Sequence, residues 1–433
     1  MKKPSAASCV SKAAIVLACV SVFSTPPSLF GQTGKHETLA DILDKNHYQV
    51  EVKDGRLTGA GASVLESALS DAQFVLLGED HGIAQIPQFD AAVCALLGPK
   101  GFHDLAIEVG PAAAEQLQKR ITAGDGRAQL AAFDKEFPET IAFYTWSEEF
   151  DFLSACAHAA AGGRFRLWGL DQELMGSSRL LLTHILEQHL SPDAAKEGKL
   201  LIAENDGDRA RAAQTGNPFD LFMVSAPGQE LAHFRETLAH DGNPGLARML
   251  DSLLQSREIY QKYQDGRGYE SNRQRALLMK SNFIQNYGTT GEDDANPPKV
   301  ILKFGGEHMF RGFNPLHNND IGNFVAELAE YQHSKSVHIL LLGVKGKQLR
   351  FAGIGRPSEP GAFNIAEDKD SDFLYLKPMF DKTASDGLTL FDLRAFRPHF
   401  GSLGTVDREM ERLIFGYDFL VLIPNAISSQ GIQ

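Results

Sequence analysis

The sequence predicts an α/β fold: a mostly parallel central sheet flanked by helices, with a helical insertion that covers the strand ends. Short apolar runs alternate with segments in which apolar residues recur every three or four positions, as in residues 83–98. Such alternation is typical of a parallel sheet with right-handed crossovers. From about residue 177 to 288 the strand-like runs stop while helical periods continue, which predicts the insertion.

The elements are predicted in the following order. Residues 36–72 carry helix signals. Strands are expected at 73–78, 104–109, 164–170, 299–304, 337–343 and 419–424, and helices at 83–98, about 111–121 and about 146–161. A polar loop at 288–298 closes the insertion, and the Gly- and Pro-rich region 350–400 is predicted to be irregular.

The first residues resemble a secretory signal peptide. Three lysines precede or flank an apolar stretch at 13–23 that is too short to span a bilayer, and a polar, Pro-containing exit follows. We therefore predict a signal peptide at 1–31, an α/β domain at 32–433, no transmembrane segment after cleavage, and a periplasmic or secreted protein. A lipoprotein box ending in Cys19 is the weaker alternative.

Charge and cysteine content narrow the function further. The formal net charge of -13 argues against nucleic acid or an anionic membrane as partner, since both require a basic surface. Cleavage would leave Cys94 and Cys156, both in apolar helix-like stretches. We interpret them as two buried small hydrophobic residues. A disulfide is allowed in an exported protein but cannot be inferred from the sequence.

Polar groups follow four of the predicted strands. Two runs continue into Gly-x-x-His with a carboxylate beside the histidine: FVLLGEDHG carries Glu79 and His81, and VILKFGGEHMFRG carries Glu307 and His308. Two more runs end in Glu108 and in Asp171 with Glu173. Because ligands of open α/β sheets bind outside the carboxyl ends of the strands, these groups are candidates for one reaction centre.

Several common chemistries lack their motif. The sequence has no G-x-S-x-G, no G-x-x-x-x-G-K-[ST] and no H-E-x-x-H, so a serine hydrolase elbow, a P-loop and a zincin site are unsupported. A set of His, Glu, Asp and Arg side chains can instead activate water. Histidine acts as the general base, a carboxylate orients it, and a cation stabilises the developing negative charge.

The motifs resemble those of the erythromycin esterase-like hydrolases. LGEDHG at 77–82 is similar to the family's first signature, WGLD at 168–171 to its Gly-Phe-Asp segment, and RALLMKSN at 275–282 to its Arg-x-x-x-Met-x-x-Asn helix. LFDLRAF at 390–396 and YDFLVLIPNA at 417–426 resemble its closing segments. The resemblance implies the family's fold, its pocket location and hydrolysis of an ester-like bond in a small molecule, without a required cofactor.

The sequence also departs from the esterase motifs, and these differences leave two alternative functions open. Glu79 and His81 are two residues apart rather than three, Gln85 stands where the esterases have Glu, and residues 83–98 contain no Arg. The shorter spacing is closer to the ChaN-like haem-binding lipoproteins and the TraB/TIKI-like metal-dependent proteins. The alternatives are therefore a hydrolase holding a divalent metal through His81 and His308, and a non-enzymatic binder of haem or another ligand.

The candidate site residues follow from the strand ends and from the resemblance. Catalytic roles are predicted for His81, Glu79, Glu108, His308 and Arg275. Substrate-binding roles are predicted for Asp171, Glu307 and Arg311. Arg275 is a candidate because residues 275–282 resemble the esterases' Arg-x-x-x-Met-x-x-Asn helix, and the resemblance implies that it is the cation that stabilises an oxyanion.

Overall fold

The computed structural model describes residues 37–160, 164–242, 244–290 and 297–432. The predicted signal peptide at 1–31 lies outside these ranges. Within them, no helix is both long enough and apolar enough to cross a membrane.

The strands of the described residues are β1 (His47–Lys53), β2 (Arg56–Thr58), β3 (Phe74–Glu79), β4 (Phe102–Ile107), β5 (Arg166–Gly169), β6 (Lys299–Gly305), β7 (Ser336–Gly343), β8 (Lys345–Arg350), β9 (Glu359–Asn364), β10 (Leu388–Asp392) and β11 (Phe419–Ile423). One sheet has the order β2-β1-β10-β11-β7-β3-β6-β4-β5, and β8 and β9 form a separate hairpin.

The sheet is mostly parallel, as predicted. The strands from β11 to β5 run parallel to one another, whereas β10, β1 and β2 form an antiparallel edge. Strand β3 lies between β7 and β6, and all six of its residues are buried. Strands covered on both faces read as continuous apolar runs, which is why the sequence identified the central ones.

The helices of the described residues are α1 (Leu39–Lys45), α2 (Ala60–Leu69), α3 (Gln85–Leu97), α4 (Pro111–Arg120), α5 (Gly126–Glu136), α6 (Ser147–Ala159), α7 (Ser178–Leu186), α8 (Pro192–Thr215), α9 (Phe222–Ser225), α10 (Gly228–His240), α11 (Pro244–Gln264), α12 (Gly268–Thr290), α13 (Ile321–Tyr331), α14 (Lys377–Phe380) and α15 (Arg408–Gly416). Each face of the sheet has its own apolar core, one including α3 and α6 and the other α12, α13 and α15.

The predicted insertion is helical, and α7 to α12 fill it. It has its own small core, which includes Leu181, Phe234 and Leu250. Its last helix, α12, returns to the sheet, where the Asn282 side-chain amide donates a hydrogen bond of 2.8 Å to the Leu170 carbonyl oxygen just after β5. This contact places the first half of α12 over the carboxyl ends of the parallel strands.

The antiparallel edge was not predicted. Residues 36–72 carry helix signals at both ends, and α1 and α2 form there, but β1 and β2 lie between them. In β1 apolar and polar residues alternate, because this strand belongs to the antiparallel part of the sheet and buries mainly one face. Strand β10 and the β8–β9 hairpin likewise lie in or beside the region expected to be irregular.

The interpretation of Cys94 and Cys156 as two separate buried thiols was wrong. The two residues form a disulfide between α3 and α6, with their Cα atoms 5.0 Å apart. Each cysteine is on the core-facing side of its helix, so the sequence context is the same for a free thiol and for a disulfide. Only the packing of α3 against α6, which brings together cysteines 62 residues apart in sequence, distinguishes a disulfide from two free thiols.

Residues 425–432, here called the tail segment, run beside two loops. They are the loop after β3 and the loop before α6. Backbone bonds from Ala84 N to Ile427 O (2.8 Å) and from Ser429 N to Gly82 O (2.9 Å) join the tail segment to the first, and bonds from Ser147 N to Gln430 O (2.7 Å) and from Ile432 N to Thr145 O (2.9 Å) join it to the second.

Candidate functional site

A cavity of about 980 Å³ opens at the carboxyl ends of the central strands. Strands β3, β6 and β4 are neighbours in the sheet, so the residues that follow them are delivered to the same place. The predicted residues that line the cavity are Glu79, His81, Glu108, Arg275, Glu307 and His308. The two Gly-x-x-His segments, more than 200 residues apart in sequence, therefore meet at one cavity.

His81 lies between two carboxylates. Its Nδ1 is 2.8 Å from Glu79 Oε1, and its Nε2 is 3.5 Å from Glu108 Oε2. Burial lowers the pKa of His81, but the charge of Glu79 and the hydrogen bonds to Glu108 and Glu79 outweigh it and raise the pKa to about 10. In the ligand-free protein His81 is therefore an imidazolium at neutral pH.

Two local features shape the space around His81. The ring of Phe143 stacks on the imidazole, with centroids 3.8 Å apart and the planes 9° from parallel. Phe143 has a φ of 59°, a backbone conformation that bulky residues rarely adopt, and such strain is often found at functional sites. At the end of the neighbouring strand β6, a Cβ added to Gly305 would lie 3.1 Å from His81 Nε2 and 3.3 Å from Glu108 Oε2. A side chain at position 305 would therefore crowd both groups, and glycine avoids this.

Glu108 is held in its charged form. It accepts hydrogen bonds from Arg275 (2.7 Å) and from the Gly305 backbone N–H (2.5 Å), and His308 Nε2 lies 3.6 Å away. Burial raises the pKa of Glu108, but the charges of His308 and Arg275 and the hydrogen bond from His81 hold it well below its ordinary value. Glu108 thus links the two histidines of the site.

Arg275 is directed into the site and not to bulk solvent. Its Nε donates to Asp171 Oδ1 at 2.9 Å, and one terminal nitrogen donates to Asp171 Oδ2 at 2.5 Å and to Glu108 Oε1 at 2.7 Å. Asp171 is buried beneath it and does not line the cavity. Asp171, for which a substrate-binding role was predicted, therefore orients the guanidinium from outside the cavity lining.

His308 has a different partner from the one its motif suggests. Its Nδ1 is 2.9 Å from Asp320 Oδ2, and Asp320 caps the start of α13. Burial and Arg275 lower the pKa of His308, but Asp320 and Glu108 outweigh them and raise it above its ordinary value. Asp320 was not predicted, because its place beside His308 depends on the turn between β6 and α13.

The structure places Arg311, for which a substrate-binding role was predicted, outside the lining of this cavity. Its guanidinium donates to Asp418 at 2.6 Å and to the Ser336 carbonyl oxygen at 2.8 Å, at the amino ends of β11 and β7. The chain after β6 turns back across the sheet face, with Met309 and Phe310 in the core, so Arg311 reaches the opposite edge. Glu307 lines the cavity and is exposed.

Within the described ranges, no group of three or more His, Cys, Asp and Glu side chains is arranged to hold a metal ion. The outer wall of the cavity is aromatic and mixed in charge. It includes Phe373, Tyr375, Asp372, Arg408 and Arg412.

No protein-family model matches the chain. No curated protein is similar to it in sequence. Among solved structures, a point mutant of the erythromycin esterase EreC in its open conformation superposes with a TM-score of 0.59 and 17% identity, over 89% of this chain and 99% of that chain. This chain has the erythromycin esterase fold.

Two further solved structures share the fold. A protein from Bacillus cereus matches with a TM-score of 0.57 and 15% identity, over 91% of this chain and 98% of its own. A succinoglycan biosynthesis protein matches with a TM-score of 0.55 and 14% identity, over 90% of this chain and 97% of its own. At these identities the likeness establishes the fold alone, and it confirms the fold that the motifs predicted.

Proposed function

We propose that this protein is an exported hydrolase that uses His81 to activate water for attack on an ester-like bond in a small molecule. The observation that carries the proposal is the placement of His81 at the cavity, with Nδ1 on Glu79 and Nε2 3.5 Å from Glu108. A cavity of about 980 Å³ suits a small-molecule ligand. The Cys94–Cys156 disulfide suits an oxidising compartment.

The proton steps use both nitrogens of His81. In the active form Nδ1–H donates to Glu79, and Nε2 accepts a proton from a water molecule in the cavity that His81 and Glu108 line. The water oxygen bonds to the carbonyl carbon, and the carbonyl oxygen becomes negative. The new imidazolium then returns the proton to the leaving oxygen as the bond to it breaks, which yields an acid and an alcohol.

His308 is the group proposed to stabilise the negative oxygen. Its Nδ1 is engaged by Asp320, and its raised pKa favours the charged ring, which carries a proton on Nε2 as well, at the cavity. Arg275 is less suited to this role than the family helix implied, because Asp171 and Glu108 already compensate its charge. Arg275 instead fixes Glu108, which in turn faces both histidines.

The proposed reaction requires no metal. Glu108 is the carboxylate between the two histidines, and a metal bound to those histidines would compete with Arg275, whose terminal nitrogen is 2.7 Å from Glu108. A guanidinium at that distance opposes the binding of a divalent cation. The donor set present here therefore does not fit the metal-dependent alternative.

The test is a screen of the mature protein against aryl esters, alkyl esters and lactones, with and without prior dialysis against a chelator. We expect hydrolysis of at least one ester class, loss of turnover in His81→Ala, and no effect of chelation. The matched control is His158→Ala, an exposed histidine on α6, which should keep wild-type turnover. Activity that disappears with the chelator and returns with a divalent metal would instead support the metal-dependent hydrolase.

A further inference from the structure

A fully buried lysine lies directly behind the site. Lys303, in the middle of β6, has 0% of its side chain exposed. Its ammonium donates to Glu79 Oε1 at 2.6 Å and to both carboxylate oxygens of Glu149 at 2.9 Å, and Asp90 Oδ2 lies 3.9 Å away. Glu79 Oε1 is the same oxygen that holds His81 Nδ1. One carboxylate oxygen thus joins the buried ammonium to the imidazole.

The strand geometry explains this arrangement. Lys303 pairs with Leu77 across β3, and both side chains point to the face covered by α3 and α6. Glu79 is two residues beyond Leu77 on that same face. Asp90 is supplied by α3 and Glu149 by α6, the two helices that the disulfide joins.

The cluster contains more acid than base. Burial, with Glu79 and Glu149 nearby, raises the pKa of Asp90 well above its ordinary value, and neither of its carboxylate oxygens has a hydrogen-bond partner among the described residues. Burial raises the pKa of Glu149 to about 7, despite the opposing effect of Lys303. Lys303 itself stays charged, since its three acidic neighbours outweigh its burial and raise its pKa. The ammonium therefore compensates mainly Glu79 and Glu149.

Titratable and charged groups surround both Lys303 and His81. Those near Lys303 are Glu79, Asp90, Glu149 and the buried Tyr144. Those near His81 are Glu79, Asp80 and Glu108; Arg275 and His308 in turn contact Glu108, and Arg350 lies near Asp80.

We propose that Lys303 is a positioning residue that fixes Glu79 against His81 and, by sharing its charge, sets how readily the His81–Glu79 pair gives up its proton, with Glu149 as its counter-ion. A positive charge beside Glu79 weakens the hold of that carboxylate on the imidazolium. Lys303 thus makes the neutral, base form of His81 easier to reach. Without it, the His81–Glu79 pair would keep its proton to a higher pH.

The inference rests on the proposed role of His81, but its first test needs no substrate. The pH titration of His81 is followed by NMR on histidine-labelled protein, with the resonance assigned by its absence in His81→Ala. Lys303→Met alone leaves buried carboxylates without a cation and should lower Tm strongly. The informative variant is Lys303→Met combined with Glu149→Gln, which removes one charge of each sign.

The proposal predicts shifts of opposite sign. In the double variant the midpoint of the His81–Glu79 pair should rise by about one pH unit, because the nearer charge removed is the positive one. In Glu149→Gln alone the midpoint should fall, because a buried negative charge is lost while Lys303 remains. The single variant is nearly isosteric and replaces a group whose pKa is already about 7, so it should fold. An unchanged midpoint in Glu149→Gln overturns the proposal.

A kinetic measurement provides a second test, and its control substitution lies on the same strand as Lys303. If an ester substrate is found, the upward shift should lower kcat near pH 7 by about tenfold, with KM unchanged. Lys299→Met removes a lysine four residues earlier in β6, which donates to the Lys100 carbonyl oxygen and lies away from the cavity. It should leave the titration and kcat at wild-type values. Shifted titrations in a protein that hydrolyses none of the esters would contradict the proposed function but not the role of Lys303.

Discussion

The two Gly-x-x-His segments have the same pattern but are used differently. After β3, the carboxylate of the motif, Glu79, is buried and bonds its own histidine, whose side chain remains 24% exposed. After β6, the chain enters a 3-10 turn, Glu307 faces solvent, and His308 is 7% exposed and bonds Asp320 instead. The motif therefore determines which residues reach the strand end, while the local backbone determines which of them contact each other.

This difference assigns separate tasks to the two histidines. The side chain of His81 is 24% exposed and lines the cavity. His308 is more buried and has its Nδ1 fixed by a carboxylate that caps a helix. We therefore expect substitutions in the first segment to affect proton transfer, and substitutions in the second to affect stabilisation of the developing charge.

The largest effect is expected from His81→Gln. Loss of the general base should lower kcat by ~10²–10⁴. Tm near neutral pH should also fall, because the cation that lies between Glu79 and Glu108 is lost. Turnover and thermal melts of the purified variant, beside His158→Gln, give the measurement. A variant that melts earlier but keeps its turnover per folded molecule would make His81 a structural residue and remove the contrast between the two segments.

The next effect is expected from His308→Gln. Loss of the charged donor at the cavity should lower kcat by ~10²–10³ with little change in KM. Asp320→Asn keeps the ring but weakens its charge, so it should cost less, about tenfold. Steady-state kinetics on both variants tests the order. If Asp320→Asn were the more damaging of the two, the main role of Asp320 would be its cap on α13 and not its bond to His308.

A third prediction concerns pH. Because the pKa of His81 is raised to about 10, the base form grows as pH rises, and kcat/KM should increase through neutral pH, up to about tenfold per unit. The stability that His81 contributes as a cation has the opposite trend. It is complete below about pH 6.5 and is lost as pH rises towards the folded pKa. The Tm difference between wild type and His81→Gln, measured across pH, should shrink accordingly; a constant difference would contradict the raised pKa.

The smallest effect is expected from Glu307→Gln. Its side chain is exposed at the cavity, so turnover should change by no more than about twofold. Glu79→Gln, the equivalent change in the first segment, should lower kcat by about a hundredfold, because the amide no longer fixes the orientation and tautomer of the His81 ring. Equal losses in the two variants would mean that Glu307 contacts the substrate directly.

How much could be predicted depended on burial. The central strands were recognisable because both of their faces are covered, so residues 73–78 and 299–304 are continuous apolar runs. The strand-end residues Glu79, Glu108 and His308 could be named for the same reason. Strand β1 was not predicted, because alternation over seven residues between two helix signals is a weak pattern.

The residues that were not predicted, or were placed wrongly, differ in whether the sequence contained a pattern that could have identified them. Phe143 had none, since its stacking on His81 depends on a loop conformation with φ of 59°. Arg311 was wrongly placed because the sequence does not reveal that the chain turns back across the sheet. Lys303 did carry a signal: a lysine inside the apolar run 300–304 must find a buried partner. The partners Asp90 and Glu149 lie on two other elements, so only the fold could identify them.

The tail segment has a consequence for the order in which the site is built. Residues 427–432 are synthesised long after the loops at Gly82 and Thr145 that they hold together. A ribosome-bound chain that lacks them cannot tie the loop of His81 to the loop of Phe143. These contacts are among the most distant in sequence, and distant contacts form late because their loop-closure entropy must be overcome first. We expect the nascent chain to acquire its sheet before its reaction centre.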